Sequence, residues 1–353
     1  LKENGVKVLV IDHHQKQEQM PNADVIIHPI YSNFGEVAAS GGFTAFMFSI
    51  AFLSRIDKYL SVLGGISLIS DMMPLLDYNR NLLRAIFASY EVGEFFPIDL
   101  LSEHTKLDEN VIGLRIAPQI NSIGRLLDDE SINKIVNFFI SEDREFILNY
   151  YSYIVTMNEE RKNLSKSVSE EPIDYNNEKA IIISGNYKEG IIGLVANTIV
   201  NKYHVPTIVF TKSGKDQLKG SARAPEGFDI VKAFNKLNEL LITFGGHASA
   251  GGCTILEKDF DLFKNKFISL AESTPFEFVE TPSIDINFNE LTYENYQLVQ
   301  SFSPFGENWP TPFFKIKKIK VSTLTFSRDT NHIITSIGHS LRLIGSGILF
   351  IIR

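Results

Sequence analysis

Five short stretches place side chains with metal-binding or phosphate-binding chemistry where a chain is expected to turn. In VKVLVIDHHQ, residues 6–15, an apolar run ends in Asp12, His13 and His14. A carboxylate followed by two imidazoles is a mixed oxygen–nitrogen donor set suited to Mn2+, with Mg2+ as the alternative. The plainer reading is an N-capping Asp beside surface histidines. In SDMMPL, residues 70–75, Asp71 follows an apolar helical run and precedes Pro74. A carboxylate there meets the negative end of the helix dipole and calls for a cation, either a metal or Arg80 or Arg84. GSAR, residues 220–223, puts the Ser221 hydroxyl and the forked donors of Arg223 beside a glycine. That combination seats a phosphate, or is simply a solvated strand end. FGGHASAGG, residues 244–252, surrounds His247 with glycines that allow close backbone approach, to a ligand or to another strand. APQINSIGR ends in Arg125, a loop cation able to meet a backbone phosphate.

The elements that must hold these residues follow from apolar periodicity. Residues 6–11 and ADVIIHP at 23–29 read as short, fully buried, parallel-type strands, and 40–56 and 60–73 as buried apolar helices. Strand and helix in alternation predict an α/β sheet whose site lies at the carboxyl ends of its strands, where Asp12, His13 and His14 stand. Residues 78–150 read as mostly helical, interrupted by LRIAPQINSIGRLLDDES. The stretch 141–171 predicts a long connecting helix with Ser141 as N-cap. A second α/β unit opens at KAIIISG, with a helix from 190 to 203, strands PTIVFT and LKGSAR, and a helix over 228–244. From about 280 the chain alternates in short β-type runs. The expected domains are therefore 1–140, a connecting helix at 141–172, a second domain at 173–275 and a β-rich part at 280–353.

With 353 residues, 44% hydrophobic and 22% charged, the chain is an ordinary globular sequence long enough for two or three domains. A net charge of -8 disfavours a generic polyanion-coating protein while leaving room for a local basic groove. The single cysteine, Cys253, excludes a disulfide framework and Cys-rich zinc sites, and suits a reducing, cytoplasmic setting. No apolar run is long enough to span a membrane, and the first residues show neither the basic start nor the cleavage region of a signal peptide. A chain that begins with Leu1 and enters a strand within a few residues, and that stops at Arg353 after an apolar run, reads as cut at both ends.

Taken in order, IDHHQ, SDMMPL with NRNLL, APQINSIGRL, EGIIGLVANTIVNKYHVPTIVF, GSARAPEGFDI and FGGHASAGG resemble the DHH phosphoesterase superfamily. Within it they are most similar to RecJ-type single-strand-specific DNA exonucleases, and FSPFGENWPTPFF at 302–314 resembles the entry to that family's OB-fold. The resemblance implies a parallel-sheet DHH domain, incomplete here, then the connecting helix, a DHHA1-type α/β domain and an OB-like, truncated C-terminal part. It implies that Asp12, His13, His14 and Asp71 belong to the catalytic centre, with His13 and Asp71 as metal ligands in a two-metal Mn2+ or Mg2+ site. It implies that Ser221 and Arg223 recognise a 5′ phosphate, and that Arg125 and His247 line the nucleic-acid path. The implied reaction is 5′-to-3′ hydrolysis of single-stranded DNA in repair and recombination. The implied partner classes are single-stranded DNA and, beyond it, a helicase or single-strand-binding protein.

The sequence departs from that pattern in three ways. The family's early D-x-D strand and a second acidic motif have no counterpart before Asp12, and the only D-x-D is Asp259-Phe260-Asp261, on a helix. Cations about 4 Å apart need such bridging carboxylates, so weak metal binding and little or no hydrolysis are expected of this chain. Asn186-Tyr187 stands where the family carries Trp-His. Two other functions compete: a DHH phosphodiesterase for short oligonucleotides or cyclic dinucleotides, and a non-catalytic single-strand-binding or scaffold relative. Near the end, Lys315, Lys317, Lys318 and Lys320 interleave with apolar residues close to Trp309, Phe313 and Phe314. That pattern suits a single strand as well as it suits a solvated strand face.

Overall fold

The computed structural model describes residues 2–14, 20–31, 38–126, 130–173, 175, 178–276, 282–316, 323–326, 332–337 and 341–346. The chain forms two compact units: residues 1–280 with Gly306–Trp309, and 281–305 with 310–353. No helix among the described residues is long and apolar enough to cross a membrane.

The first unit opens with β1 (Leu9–Ile11) and β2 (Val25–Ile27), paired in parallel with Leu9 opposite Val25. The β-branched run makes the strand but does not bury it. Val6, Leu9 and Val25 are all about half exposed (48%, 47% and 52%), so these are not the fully buried strands the pattern predicts. A helical layer follows: α1 (Gly41–Leu53), α2 (Lys58–Ser70), α3 (Asp77–Ser89), α4 (Phe96–Leu101) and α5 (Glu109–Val111). The uniformly apolar α1 buries Phe43 and Phe46 but leaves Phe52 exposed, so only one face of it is covered. Gly64 and Gly65 let α2 pack closely. A Cβ at Gly64 would stand 3.0 Å from Phe46 Cβ, and one at Gly65 would stand 2.5 Å from Ile86 Cδ1.

LRIAPQINSIGR does not interrupt the helices. A π-helical stretch, Ile112–Ile116, runs directly into α6 (Ala117–Leu126). Pro118 has no N–H for the usual bond, and the wider turn absorbs it, with the Ala117 N–H bonding to the carbonyl of Ile112. Arg125 is therefore a residue of the last helical turn rather than of a loop. Next come α7 (Glu130–Ile140) and α8 (Arg144–Ser169). The N-cap of α8 is Asp143, whose carboxylate accepts from the N–H groups of Glu145 and Phe146, while Ser141 Oγ accepts from the Asp143 N–H outside the helix. Ile147, Tyr150 and Ile154 of α8 join the core of the helical layer, and Val168 joins the next core, so one helix serves both.

The second α/β layer is β3 (Ile181–Gly185), α9 (Glu189–Tyr203), β4 (Thr207–Lys212), β5 (Gln217–Arg223), α10 (Ile230–Lys236), β6 (Thr243–Gly246), β7 (Ala250–Leu256) and α11 (Phe260–Ser273). The predicted helix over 228–244 stops at Lys236, and Thr243–Gly246 pairs with β7 as a strand. The sheet order is β3-β4-β5-β7-β6, parallel only between β3 and β4. Phe210, Phe234, Phe263 and Phe267 are fully buried on one face of it, and Val195 and Ile199 of α9 pack on the other.

In the second unit β8 (Ser283–Ile286) pairs in parallel with β9 (Phe313–Ile316), and α12 (Tyr293–Gln300) lies between them in sequence. β10 (Thr323–Phe326), β11 (His332–Ile337) and β12 (Leu341–Ser346) form an antiparallel meander. Lys317, Lys318 and Lys320 lie outside the described residues.

Candidate metal and phosphate sites

The parallel pair ends at Ile11, and Asp12, His13 and His14 follow at its carboxyl end. Asp12 Oδ1 accepts from the His13 N–H at 2.8 Å, from the His14 N–H at 3.4 Å and from His14 Nδ1 at 2.6 Å. The His14 hydrogen bond, aided by the backbone donors and opposed by partial burial, holds the Asp12 carboxyl down to about 2. His13 turns the other way. Its Nε2 lies 3.2 Å from Asp71 Oδ2, with His13 mostly buried and Asp71 44% exposed. Asp71 is the C-cap of α2, and the side chain this helix-terminal carboxylate meets is His13.

His28, which the motif reading did not single out, supports this corner. It is buried, its Nε2 lies 2.8 Å from the His14 carbonyl, and its Nδ1 accepts from the Ile30 N–H at 3.2 Å. Those partners assign the ring proton to Nε2. Its signal in the sequence is a histidine closing the second apolar strand just before Pro29.

His13 Nε2 and Asp71 Oδ2 set an imidazole nitrogen and a carboxylate oxygen 3.2 Å apart, a donor pair that fits a divalent cation. Among the described residues no set of three His, Cys, Asp or Glu side chains converges on a metal position. Two protein ligands completed by water and substrate phosphate is a coordination Mg2+ accepts.

A second site lies where α6, α8, α9 and β5 meet. Arg125 Nη1 donates to the Gly190 carbonyl at 3.3 Å, and Gly190 lies so close to the Arg125 backbone that no Cβ fits there. Arg223 Nη1 donates to Ser221 Oγ at 3.1 Å and to the Ala222 carbonyl at 2.8 Å. One turn beyond Gly190, Gly193 leaves room for both side chains. A Cβ there would stand 3.0 Å from Arg223 Nη2 and from Ser221 Oγ.

A third arginine, Arg161 of α8, is steered by Asn158 Oδ1, which accepts from its Nε at 3.2 Å and its Nη2 at 3.0 Å. Burial lowers the guanidinium pKa of all three arginines. Arg125 lowers those of Arg161 and Arg223 further, and Glu159 partly offsets the effect at Arg161. None of the three makes a salt bridge among the described residues. Partly buried like charges without a carboxylate are unfavourable by themselves and become favourable around an anion. Arg161 escaped the motif reading because a cation on a polar helix face is by default solvated; only the fold places it beside Arg125.

His247 sits at the tip of the β6–β7 hairpin, exposed, with its N–H donating to the Ala250 carbonyl at 2.7 Å. Ala250 is in register with Arg223, so His247 and Arg223 share one end of the sheet although their side chains do not hydrogen-bond. Tyr187 folds back over Gly185, exchanges hydrogen bonds with Thr211 and donates its hydroxyl to Glu171 at 2.9 Å. Here Tyr187 packs and caps the end of β3. Trp309 is not a free stacking platform either, because the Arg80 guanidinium lies 4.5 Å from its ring centre.

Residues 177–273 match the DHHA1 domain family, and residues 283–350 match the RecJ OB domain family. The single-stranded-DNA-specific exonuclease RecJ of Bacillus subtilis is 27% identical over 331 residues, covering 88% of this chain and 42% of that protein. The crystal structure of RecJ in complex with Mn2+ from Thermus thermophilus superposes with a TM-score of 0.82 at 23% identity, covering 99% of this chain and 54% of that one. The Mg2+ complex of the same protein gives a TM-score of 0.79 at 21% identity, covering 98% and 55%. The chain thus spans about half the length of these relatives. An α/β layer, a DHHA1 domain and an OB domain in this order agree with the expected fold class, and the chain is similar to the RecJ-type exonucleases of the DHH phosphoesterase superfamily.

Proposed function

We propose that this chain supplies the DHH, DHHA1 and OB portions of a metal-dependent 5′-to-3′ exonuclease acting on single-stranded DNA. The observation that carries the reading is the arginine seat: Arg125, Arg161 and Arg223 with Ser221, partly buried and with no salt bridge to a carboxylate among the described residues. A 5′-terminal phosphate carries more charge than an internal one, and this seat would hold it by forked, charge-assisted bonds. His13 and Asp71 would hold the divalent cation, whose chemistry when bound is activation of water and neutralisation of charge on the phosphodiester. Asp12 holds the His14 ring by its Nδ1, which leaves His14 Nε2 directed away from Asp12 and open to the substrate side. His247, at the Arg223 end of the sheet, would meet the strand's backbone. The relatives named for single-stranded DNA, and those crystallised with Mn2+ and Mg2+, support the substrate and the metal.

The test is fluorescence anisotropy with a 12-nucleotide single strand bearing a 5′ phosphate or a 5′ hydroxyl and with the matching blunt duplex, followed by Mn2+-dependent nucleotide release. The expected order of affinity is 5′-phosphate strand, then 5′-hydroxyl strand, then duplex, with a step of roughly tenfold for the phosphate. Equal affinity for all three would overturn the reading. The absence of a third converging metal donor among the described residues favours one second reading, a non-catalytic single-strand-binding relative. It predicts the same order of affinities, with no nucleotide release under any metal even from the chain extended by the coding sequence upstream of Leu1, where the first reading expects release.

A further inference from the structure

We propose that Asn79 and the turn Gly306–Trp309 are positioning elements of the metal site, which clamp the single peptide joining Pro74 to Leu75 and so hold Asp71 against His13. This inference rests on the metal reading of His13 and Asp71. The turn that carries Asp71 closes as a helix C-cap, with Met72, at φ 51°, donating to the Ile69 carbonyl at 3.2 Å and Met73 to the Leu68 carbonyl at 2.9 Å. Where the chain goes beyond that cap is set by contacts from other segments.

Those contacts converge on the next peptide. Its carbonyl, Pro74 O, accepts from Asn79 Nδ2 at 2.9 Å, and its N–H, on Leu75, donates to the Glu307 carbonyl at 2.8 Å. With both ends of one peptide group occupied, the plane three residues beyond Asp71 is fixed.

Asn79 also reaches the other half of the pair. The same Nδ2 donates to the Ala38 carbonyl at 2.6 Å, just before Ser40, the N-cap of α1. Ser67 of α2 donates to Ser40 Oγ at 2.8 Å, and Gly41 lies directly beneath the His13 ring, 3.5 Å from its Cδ2 to an added Cβ. One amide therefore ties the platform under His13 to the turn that carries Asp71. Asn79 is 3% exposed and its Oδ1 has no hydrogen-bond partner among the described residues. Flipping the amide would aim that oxygen at two carbonyls, so the orientation is unambiguous.

The opposing jaw closes on itself, with Gly306 and Trp309 exchanging backbone bonds at 2.9 and 3.1 Å. It seats on Leu75 so tightly that a Cβ at Gly306 would stand 2.7 Å from Leu75 Cδ1. The Arg80 guanidinium, one residue after Asn79, lies 4.5 Å from the Trp309 ring centre.

The test measures Mn2+ affinity by electron paramagnetic resonance for the full chain and for Asn79→Ala, Gly306→Ala, Trp309→Leu and His13→Ala, with amide exchange at Leu75 and thermal melting recorded on each. Faster Leu75 exchange with Mn2+ binding weakened roughly tenfold, the low end for losing an outer partner of a metal ligand, is expected for the first three variants. Affinity for a 5′-phosphorylated strand, measured without metal, should stay unchanged in them. Should Asn79→Ala not fold, Trp309→Leu decides the matter. Folded variants with faster Leu75 exchange and unaltered Mn2+ affinity would overturn the inference while leaving the metal site standing. Mn2+ binding that His13→Ala does not diminish would instead overturn the metal site, and this inference with it.

Discussion

Replacing Arg223 by alanine tests the phosphate seat where its parts are most closely coupled. Arg223 is partly buried, bonded to Ser221 Oγ at 3.1 Å and close enough to Arg125 for the two charges to repel. A hydrogen bond to a charged partner contributes about 1.5–3 kcal/mol. Removing Arg223 also relieves repulsion at Arg125, so the net loss should fall near the lower part of that range, about 2 kcal/mol, or roughly 30-fold in affinity. The loss should be confined to strands with a 5′ phosphate, since a 5′ hydroxyl gives the guanidinium no charge to meet. Anisotropy titrations over a series of salt concentrations measure both quantities. The slope of log affinity against log salt should fall by about 0.7 for one lost phosphate contact on a single strand. Arg223→Lys keeps the charge, loses the fork, and should lie between the parent and the alanine variant. An equal loss on phosphate and hydroxyl strands, with the melting temperature unchanged, would refute the assignment and leave Arg223 as a general backbone contact.

Three further outcomes follow from the packing and the titratable groups. Gly190→Ala should lower the denaturant midpoint by about 1–3 kcal/mol equivalent, because no Cβ fits against the Arg125 backbone; an unshifted midpoint would mean that α6 and α9 separate freely. Burial pushes the Tyr59 hydroxyl, which donates to the Phe139 carbonyl, up to about 12 from an ordinary 10.0. The folded state then keeps its proton where the unfolded state has lost it, so stability should fall as pH rises from about 10 to 12, and Tyr59→Phe should flatten that fall in denaturation curves. Burial likewise pushes the Cys253 thiol up to about 12, so alkylation at neutral pH should wait on unfolding; rapid labelling of native protein would contradict its burial at 3% exposure.

Local chemistry made some of this molecule legible and spatial neighbourhood hid the rest. Runs such as AIIIS and TIVFT name buried strands because β-branched residues fit nowhere else as well, and they are β3 and β4. The run before Asp12 has the same composition, but composition says only that a strand forms, and the exposed Val6 and Leu9 show that it does not say what covers it. Pro118 and Gly124 read as breakers by every local rule, yet one π-helical stretch accommodates the missing N–H and the helix runs on to present Arg125. Asp12, His13, His14, Asp71, Ser221 and Arg223 stand out in the sequence because their types are uncommon where the chain turns.

Arg161, His28 and Asn79 were not found, and the reason is physical. An arginine on a polar helix, a histidine beside a proline and an asparagine near a helix start are each satisfied by water or by their own backbone in most sequences. What distinguishes them is a partner far away in the chain: Arg125 for Arg161, the His14 carbonyl for His28, and Ala38 and Pro74 for Asn79. Candidate ligands announce themselves by type, whereas the residues packed around them are ordinary residues in unusual company. Asn79 sits one residue from Arg80, which meets Trp309 from the far end of the chain, so the surroundings of the turn after Asp71 include a segment that no window around Asp71 contains.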